Sequence, residues 1–407
     1  MVFMKYSELE AIRDRLEEFL AQVLFPALNR SQQRQWGSAF VRGFLLDGDR
    51  KSAGAIAERL PDGNEQAMQQ FVTDSVWDFR DVRRRIAQYL EPLLPAEGVW
   101  IHDDTGFPKK GTHSVGVARQ YSGTLGKVGN CQIGVSMSLA TPSGSLPLDW
   151  ELYLPEEWAN NPERCRKAGA PEDRRAYRPK WEMALDLTDR VLSWGLQPQI
   201  VVADSFYGSV TEYRDGLVKR HLKYVVSIRE NACVWVGKVP ARPPQSLGRG
   251  RPRTRHEYGD YRPQSVLEVA QALPAQNRRT VTWDQGSKGP LRSRFAALRI
   301  HTSHGYYKGK PPRPEEWLII EWPESEEKPT GYWLSNLPED VPLEKLVRLA
   351  KMRWHIEQDY QQLKEELGLD HFEGRKWIGW HRHVTLTMVA FAFLLLERIR
   401  GQKRGFN

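Results

Sequence analysis

Along the first part of the chain, apolar residues recur at three- and four-residue intervals, through Leu9, Ile12, Leu16, Phe19, Leu20 and Val23. That spacing lines one stripe of an α-helix. A further helix is predicted over 51–60. After the turn Pro61-Asp62-Gly63-Asn64 another is predicted over 65–79. Residues 1–95 thus read as a helical domain, either a plain bundle or one whose Gly-containing turn joins a helix-turn-helix reader of DNA. From Val99 the texture changes. Runs over 99–102, 115–121, 132–140 and 146–154 have strand character and short Gly- or Ser-containing links, the pattern of an antiparallel meander.

A helix over 180–194, a buried-looking strand over 199–203, a helix over 210–221 and a strand over 223–228 come next. Strands first, then alternating helix and strand, is the order expected of a ribonuclease-H-like α/β domain, here over 96–231 and 334–407. Between these parts, residues 232–333 read as a β-rich insertion with runs at 280–283, 292–300 and 317–322. Its segment 238–262 is dense in Gly, Pro and Arg and reads as an exposed basic loop. A long helix is predicted over 343–367 and an apolar one over 384–399. The apolar run 384–396 contains two threonines and falls short of the roughly 20 residues a membrane span needs.

Composition narrows the classes. Hydrophobic residues make up 40% and charged residues 27% of the 407, which supplies enough apolar surface for packed cores and excludes a largely disordered chain. The formal net charge of +8 favours polyanionic partners, nucleic acid foremost. Cys131, Cys165 and Cys233 are scattered, fit neither a disulfide framework nor a zinc site, and suit a reducing cytoplasm. The first ten residues carry charge early and lack the apolar core of a signal peptide.

Three acidic positions stand out. Asp103 and Asp104 follow the first apolar strand in His102-Asp103-Asp104-Thr105, and Asp204 ends another in Val201-Val202-Ala203-Asp204. Glu357 lies within the predicted long helix. Carboxylates at strand ends of an α/β sheet point into the crevice where ligands bind. Their hard oxygens suit Mg²⁺ or Mn²⁺, and two such ions roughly 4 Å apart serve phosphodiester chemistry. Each acid taken singly is more often a turn or cap residue than a metal ligand. Arg353, Glu357 and Lys364 stand four and seven residues apart, which puts them on one face of a continuous helix. That face reads either as a solvated charged surface or as a ligand carboxylate flanked by two phosphate-gripping cations.

These blocks resemble the DDE superfamily transposases of bacterial insertion sequences, in the group with a Tyr-Arg-Glu-Lys signature. Arg353, Glu357 and Lys364 match that signature with its spacing; Ala350 stands where the tyrosine is expected, so that tyrosine's role is lost here or falls to Tyr360 or another residue. Asp103 matches as Asp-x-Thr in Asp103-Asp104-Thr105, followed by Gly106 to Gly111. Adjacent strand residues face opposite ways, so one of the pair is the ligand, and Asp104 is the alternative. Asp204 matches within Ala203-Asp204-Ser205-Phe206-Tyr207-Gly208. Gly374 to Trp377 and Gly379 to His383 resemble one subgroup. Such transposases also hold a β-rich insertion between the second and third acids, where composition places one here.

The resemblance implies a cut-and-paste transposase. Asp103, Asp204 and Glu357 would hold two Mg²⁺ or Mn²⁺ ions, and Arg353 and Lys364 would contact phosphates. Its partners would be double-stranded DNA, the terminal inverted repeats and the target, bound by a homodimer in the bacterial cytoplasm at the nucleoid. Lys109 and Lys110 suit either a solvated turn or a phosphate-contacting loop. Arg249, Arg251 and Arg253, in Gly248-Arg249-Gly250-Arg251-Pro252-Arg253, resemble an AT-hook core or form a mobile basic loop. Trp235, Trp283, Trp317 and Trp322 read mostly as core, with one in such enzymes stacking on a flipped base. A domesticated DNA-binding protein and a metal-dependent nuclease without strand transfer are the competing classes.

Overall fold

The computed structural model describes residues 6–123, 126–245, 254–286 and 289–404. It divides into two compact units, one of residues 1–198 with 354–407 and the other of residues 199–353. Asn64 and Asp78 set two boundaries in the N-terminal part. The Asn64 side chain accepts from the Ala67 amide and the Asp78 side chain from the Arg80 amide, each satisfying a donor that a helix start leaves unpaired. The helix expected over 65–79 therefore ends at Thr73, and a separate one begins at Phe79. The N-terminal helices are α1 (Tyr6–Val23), α2 (Ser31–Leu45), α3 (Ala53–Arg59), α4 (Glu65–Thr73) and α5 (Phe79–Leu90).

Four strands follow: β1 (Val99–Pro108), β2 (Ala118–Ser122), β3 (Lys127–Thr141) and β4 (Gly144–Leu152). Their pairings with one another are antiparallel, with the long β3 taking β1, β2 and β4 as partners. β1 runs well past its apolar start. Asp103 and Asp104 sit within it, opposite Ser136 and Val135, rather than at a strand end. Short helices α6 (Glu156–Ala159) and α7 (Pro162–Lys167) lead to α8 (Lys180–Ser193), which packs on β3 and β4.

In the second unit, β5 (Ile200–Ala203) is followed by α9 (Ser205–Gly208), α10 (Thr211–Lys219) and β6 (Tyr224–Ser227). β7 (Cys233–Val236), β8 (Gln264–Ser265), α11 (Val266–Ala272), β9 (Arg279–Gly286), β10 (Gly289–Thr302), β11 (Glu315–Glu321) and β12 (Gly331–Ser335) complete its sheet, before α12 (Leu343–Lys351). The strand order is β5-β6-β12-β11-β10-β7-β8, with β9 also on β10. β5 and β6 are parallel and the other ladders antiparallel, so this sheet is mixed. The protein is α/β.

Residues 343–367 do not form one long helix. After α12 the chain passes through a 3-10 turn, Met352–Trp354, into α13 (His355–Gln361) and then a wide π turn, Gln362–Glu366. The Leu367 amide donates to the Gln362 carbonyl five residues back, and Gly368 at φ +69° ends the segment. The even 100° step per residue therefore does not hold from Arg353 to Lys364. Finally α14 (Trp377–Arg404) packs on α1, α2, α4, α5 and β4, with residues 377 to 393 almost wholly buried. No helix among the described residues is long and apolar enough to cross a membrane.

Candidate functional site

On β1, side-chain alternation sorts the two adjacent aspartates. Asp104 Oδ2 accepts from Lys180 Nζ of α8 at 3.0 Å, and its neighbour but one, His102, contacts Thr188 Oγ1 of α8 at 3.0 Å. Asp104 thus belongs to the α8 face. Asp103 belongs to the other face, because its directly paired residue, Ser136, shares a hydrogen bond of 2.6 Å with the Tyr360 hydroxyl. Thr105, two residues along, accepts from Lys364 Nζ at 2.7 Å. That face is covered by α13 and the π turn, and α13 is the helix that carries Glu357. Glu357 is exposed in the first turn of α13, while Ile356 and Asp359 beside it are buried. The Asp103 carboxylate is half-buried and accepts from the Asp104 amide at 2.8 Å.

Asp204 ends β5 in the second unit and caps α9. Its Oδ1 accepts from the Phe206 and Tyr207 amides at 2.9 and 3.3 Å, which fixes the carboxylate against the chain that follows. The turn is locked from below. A Cβ on Gly208 would lie 2.0 Å from the Ser227 carbonyl oxygen, so only glycine permits this approach of α9 to β6. Buried Arg214 adds a donor to the Gly208 carbonyl and another to Thr211 Oγ1. Neither the Lys180 partner of Asp104 nor the Tyr360–Ser136 link has a local signal in the sequence, since their partners lie far along the chain.

The expected cations are placed differently from one another. Lys364 Nζ donates to Thr105 Oγ1 at 2.7 Å and to the Gly106 carbonyl at 2.9 Å, over the rings of Phe107 and Tyr360. Burial lowers its amine to about 8. Lys109 Nζ turns inward to the Phe372 and Asp370 carbonyls at 2.5 and 3.4 Å, and burial lowers it too to about 8. Lys110 is exposed, Arg353 is half-buried in the 3-10 turn of the second unit, and Arg249, Arg251 and Arg253 lie outside the described residues. Ala350, at the signature's tyrosine position, is buried on α12.

The tryptophans of the insertion are tied into packing. Trp235 stacks on Tyr258 at 5.9 Å, Trp283 meets Phe295 edge-on, Trp317 donates to the Pro338 carbonyl, and Trp322 donates to the Glu326 carbonyl under Arg278. Of the histidines, His102, His381 and His383 are buried. In the second unit a cleft of about 770 Å³ is lined by Arg255, Arg262, Lys308, Tyr258, Tyr306 and Tyr307, along with Glu257.

Asp103 and Glu357 belong to the first unit and Asp204 to the second. Among the described residues, neither unit by itself gathers three His, Cys, Asp or Glu side chains into a group that could hold a metal ion. The donor chemistry nevertheless suits a hard divalent cation, since all three are carboxylates and two are fixed by backbone amides.

Comparison with known proteins supplies a class for this mixed α/β chain. Residues 23–290 match the model of the DDE superfamily endonucleases, and the chain belongs to that family. The match takes in Asp103 and Asp204 and stops short of Glu357. Enzymes of this superfamily act with divalent metal ions. The probable transposase for insertion sequence element IS701 of Microchaete diplosiphon is 28% identical over 333 residues, 81% of this chain and 74% of that relative.

Proposed function

We propose that the chain is a DNA transposase that cleaves the ends of its element and joins their 3′-hydroxyls to target DNA. The observation that carries this is the shared sheet face: Asp103 lies on the side of β1 covered by the helix that bears Glu357, while Asp104 is engaged by Lys180 on the other. The geometry therefore favours Asp103 over Asp104 as the ligand. Asp103, Glu357 and the backbone-fixed Asp204 would together hold two Mg²⁺ or Mn²⁺ ions, within a ribonuclease-H-like frame. Bound there, such ions lower the pKa of the attacking water or hydroxyl and neutralise charge on the leaving oxygen.

The chain's own residues do the rest. The two amide bonds to Asp204 hold its carboxylate in one orientation, and the Asp104–Lys180 pair keeps the second β1 acid out of the site. Arg353, Lys110 and the arginines of the basic run 249–253 are the proposed phosphate contacts, supported by the basic, aromatic cleft lined by Arg255, Arg262 and Lys308. The N-terminal helices would read the terminal inverted repeats, two copies would pair the ends, and the DNA substrate places the enzyme at the bacterial nucleoid. The IS701 relative supports this whole-protein reading.

A supercoiled plasmid carrying the gene with its native flanks tests it. With Mg²⁺ the wild-type protein is expected to nick or cut at the flanks, Asp204→Ala to be inactive, and pre-cut ends to yield joined products. Metal-dependent cutting that survives Asp204→Ala would sink the assigned site. Cutting without any joined product would leave a nuclease only.

A further inference from the structure

The cation seven residues after Glu357 faces the protein. Lys364 sits in the π turn that continues α13, and its ammonium bridges two successive positions of β1, the Thr105 hydroxyl and the Gly106 carbonyl. Thr105 is two residues from Asp103 on the same strand face and is buried. Thus one side chain ties the strand holding the first acid to the segment holding the third. A second tie, Tyr360 to Ser136, lies between them, and Ser136 is the residue paired with Asp103. The ammonium also lies 5.8 and 6.0 Å from the Phe107 and Tyr360 ring centres, an aromatic seat that suits a compact cation.

We propose that Lys364 is a positioning residue: its bonds to Thr105 and Gly106 set the separation of Asp103 and Glu357, and its contribution to the reaction runs through that geometry rather than through a DNA phosphate. This rests on the reading of Asp103 and Glu357 as metal ligands. A shell that orients ligands typically affects metal affinity or activity by about 10–100-fold when removed, whereas a lost phosphate contact lowers the slope of log K against log salt by about 0.9.

The test compares Lys364→Met, Lys364→Arg, Thr105→Val and the Lys364→Met/Thr105→Val double variant on a duplex bearing the element's native flank. Binding is measured in Ca²⁺ across a salt series, and single-turnover cleavage across a Mg²⁺ series. Expected for Lys364→Met are an unchanged salt slope, a raised Mg²⁺ midpoint and a cleavage loss of about 10–100-fold. Lys364→Arg keeps the charge but not the compact two-point fit, and is expected to behave like Lys364→Met. Thr105→Val is expected to move the Mg²⁺ midpoint the same way, with the double variant no worse than the worse single one. A merely destabilised protein would lose active fraction without moving that midpoint.

The proposal is overturned if Lys364→Met flattens the salt slope by about one phosphate, Lys364→Arg restores it, and Thr105→Val changes nothing. A Lys364→Met protein with an unmoved Mg²⁺ midpoint overturns it equally. If Asp103→Ala and Glu357→Ala cut like wild type, the site assignment itself has failed. If they are inactive while only the salt slope of Lys364→Met changes, the positioning role alone has failed.

Discussion

Arg83→Met is expected to be among the most damaging single substitutions in the first unit. Arg83, on α5, is entirely buried, and its guanidinium donates to Asp149 Oδ1 at 2.9 Å, the Trp150 carbonyl at 2.6 Å, Thr385 Oγ1 at 2.8 Å and the His381 carbonyl at 3.0 Å. It also lies 4.8 Å over the Phe79 ring. One side chain thereby joins α5, β4 and α14. Removing one partner of a buried ion pair costs about 3–5 kcal/mol, because the other charge stays buried. Here Asp149 keeps Arg190, whose Nε lies 2.5 Å from Oδ2, which softens the electrostatic part. Against that, the Trp150 and His381 carbonyls each lose a buried donor, at about 1–3 kcal/mol apiece. A net loss of about 4 kcal/mol follows, a large share of the roughly 5–15 kcal/mol that a folded protein commands. Urea unfolding followed by tryptophan fluorescence reports on it directly, since Trp150 is itself a neighbour. Arg83→Lys, which keeps the charge and loses the fork, is expected to fall between the two. A loss below about 1 kcal/mol for Arg83→Met, with an unchanged m-value, would refute the reasoning.

Other outcomes follow from single groups. His383 is buried, contacts the Gly368 carbonyl through Nε2, and burial pushes its pKa down to about 4. Below its ordinary value the unfolded chain takes up a proton that the fold refuses, so stability is expected to fall as pH drops from about 6.5 to 4, by roughly 3 kcal/mol in all. Denaturant titrations at pH 7 and 5 should differ less in His383→Gln than in wild type. Gly208→Ala places a methyl against the Ser227 carbonyl, so it should cost about 1–3 kcal/mol and slow cleavage without weakening DNA binding in Ca²⁺. Lys351 pairs with Glu321 at 2.6 Å within 4.8–5.6 Å of the Trp283, Trp333 and Phe295 rings; Lys351→Met should lower the second unit's stability by about 2 kcal/mol, read by hydrogen exchange in β10 and β11.

Much of this was legible in the residues. Period-two runs gave β3 and β4 to within a few positions, because alternation is a local signal. The extension of β1 through Asp103 and Asp104 was not, since two adjacent acids look like a strand end unless Lys180 and Ser136 are known to lie across from them. β7, β8 and β12 are short and supported by pairing rather than by pattern. The break at Met352–Trp354 has neither Pro nor Gly to announce it. Asp204 could be read both as a helix cap and as a ligand, and it does cap α9; the local sequence distinguishes the two roles no better than the cap geometry does. The inward turn of Lys109 and Lys364 depends on backbone carbonyls at 370–372 and on β1, which no spacing rule reaches.

The wide turn at Gln362–Glu366 gives the interval between Glu357 and Lys364 an unusual meaning. On a uniform helix seven residues would be an angle; here they are a length of chain, one residue longer than the shortest helical path. Deletion of Gln362 would let the turn close as ordinary α-helix, leaving Lys364 rotated away from β1. The segment should therefore accept many exchanges of Gln361, Glu365 and Glu366 at its exposed positions, yet no change in their number.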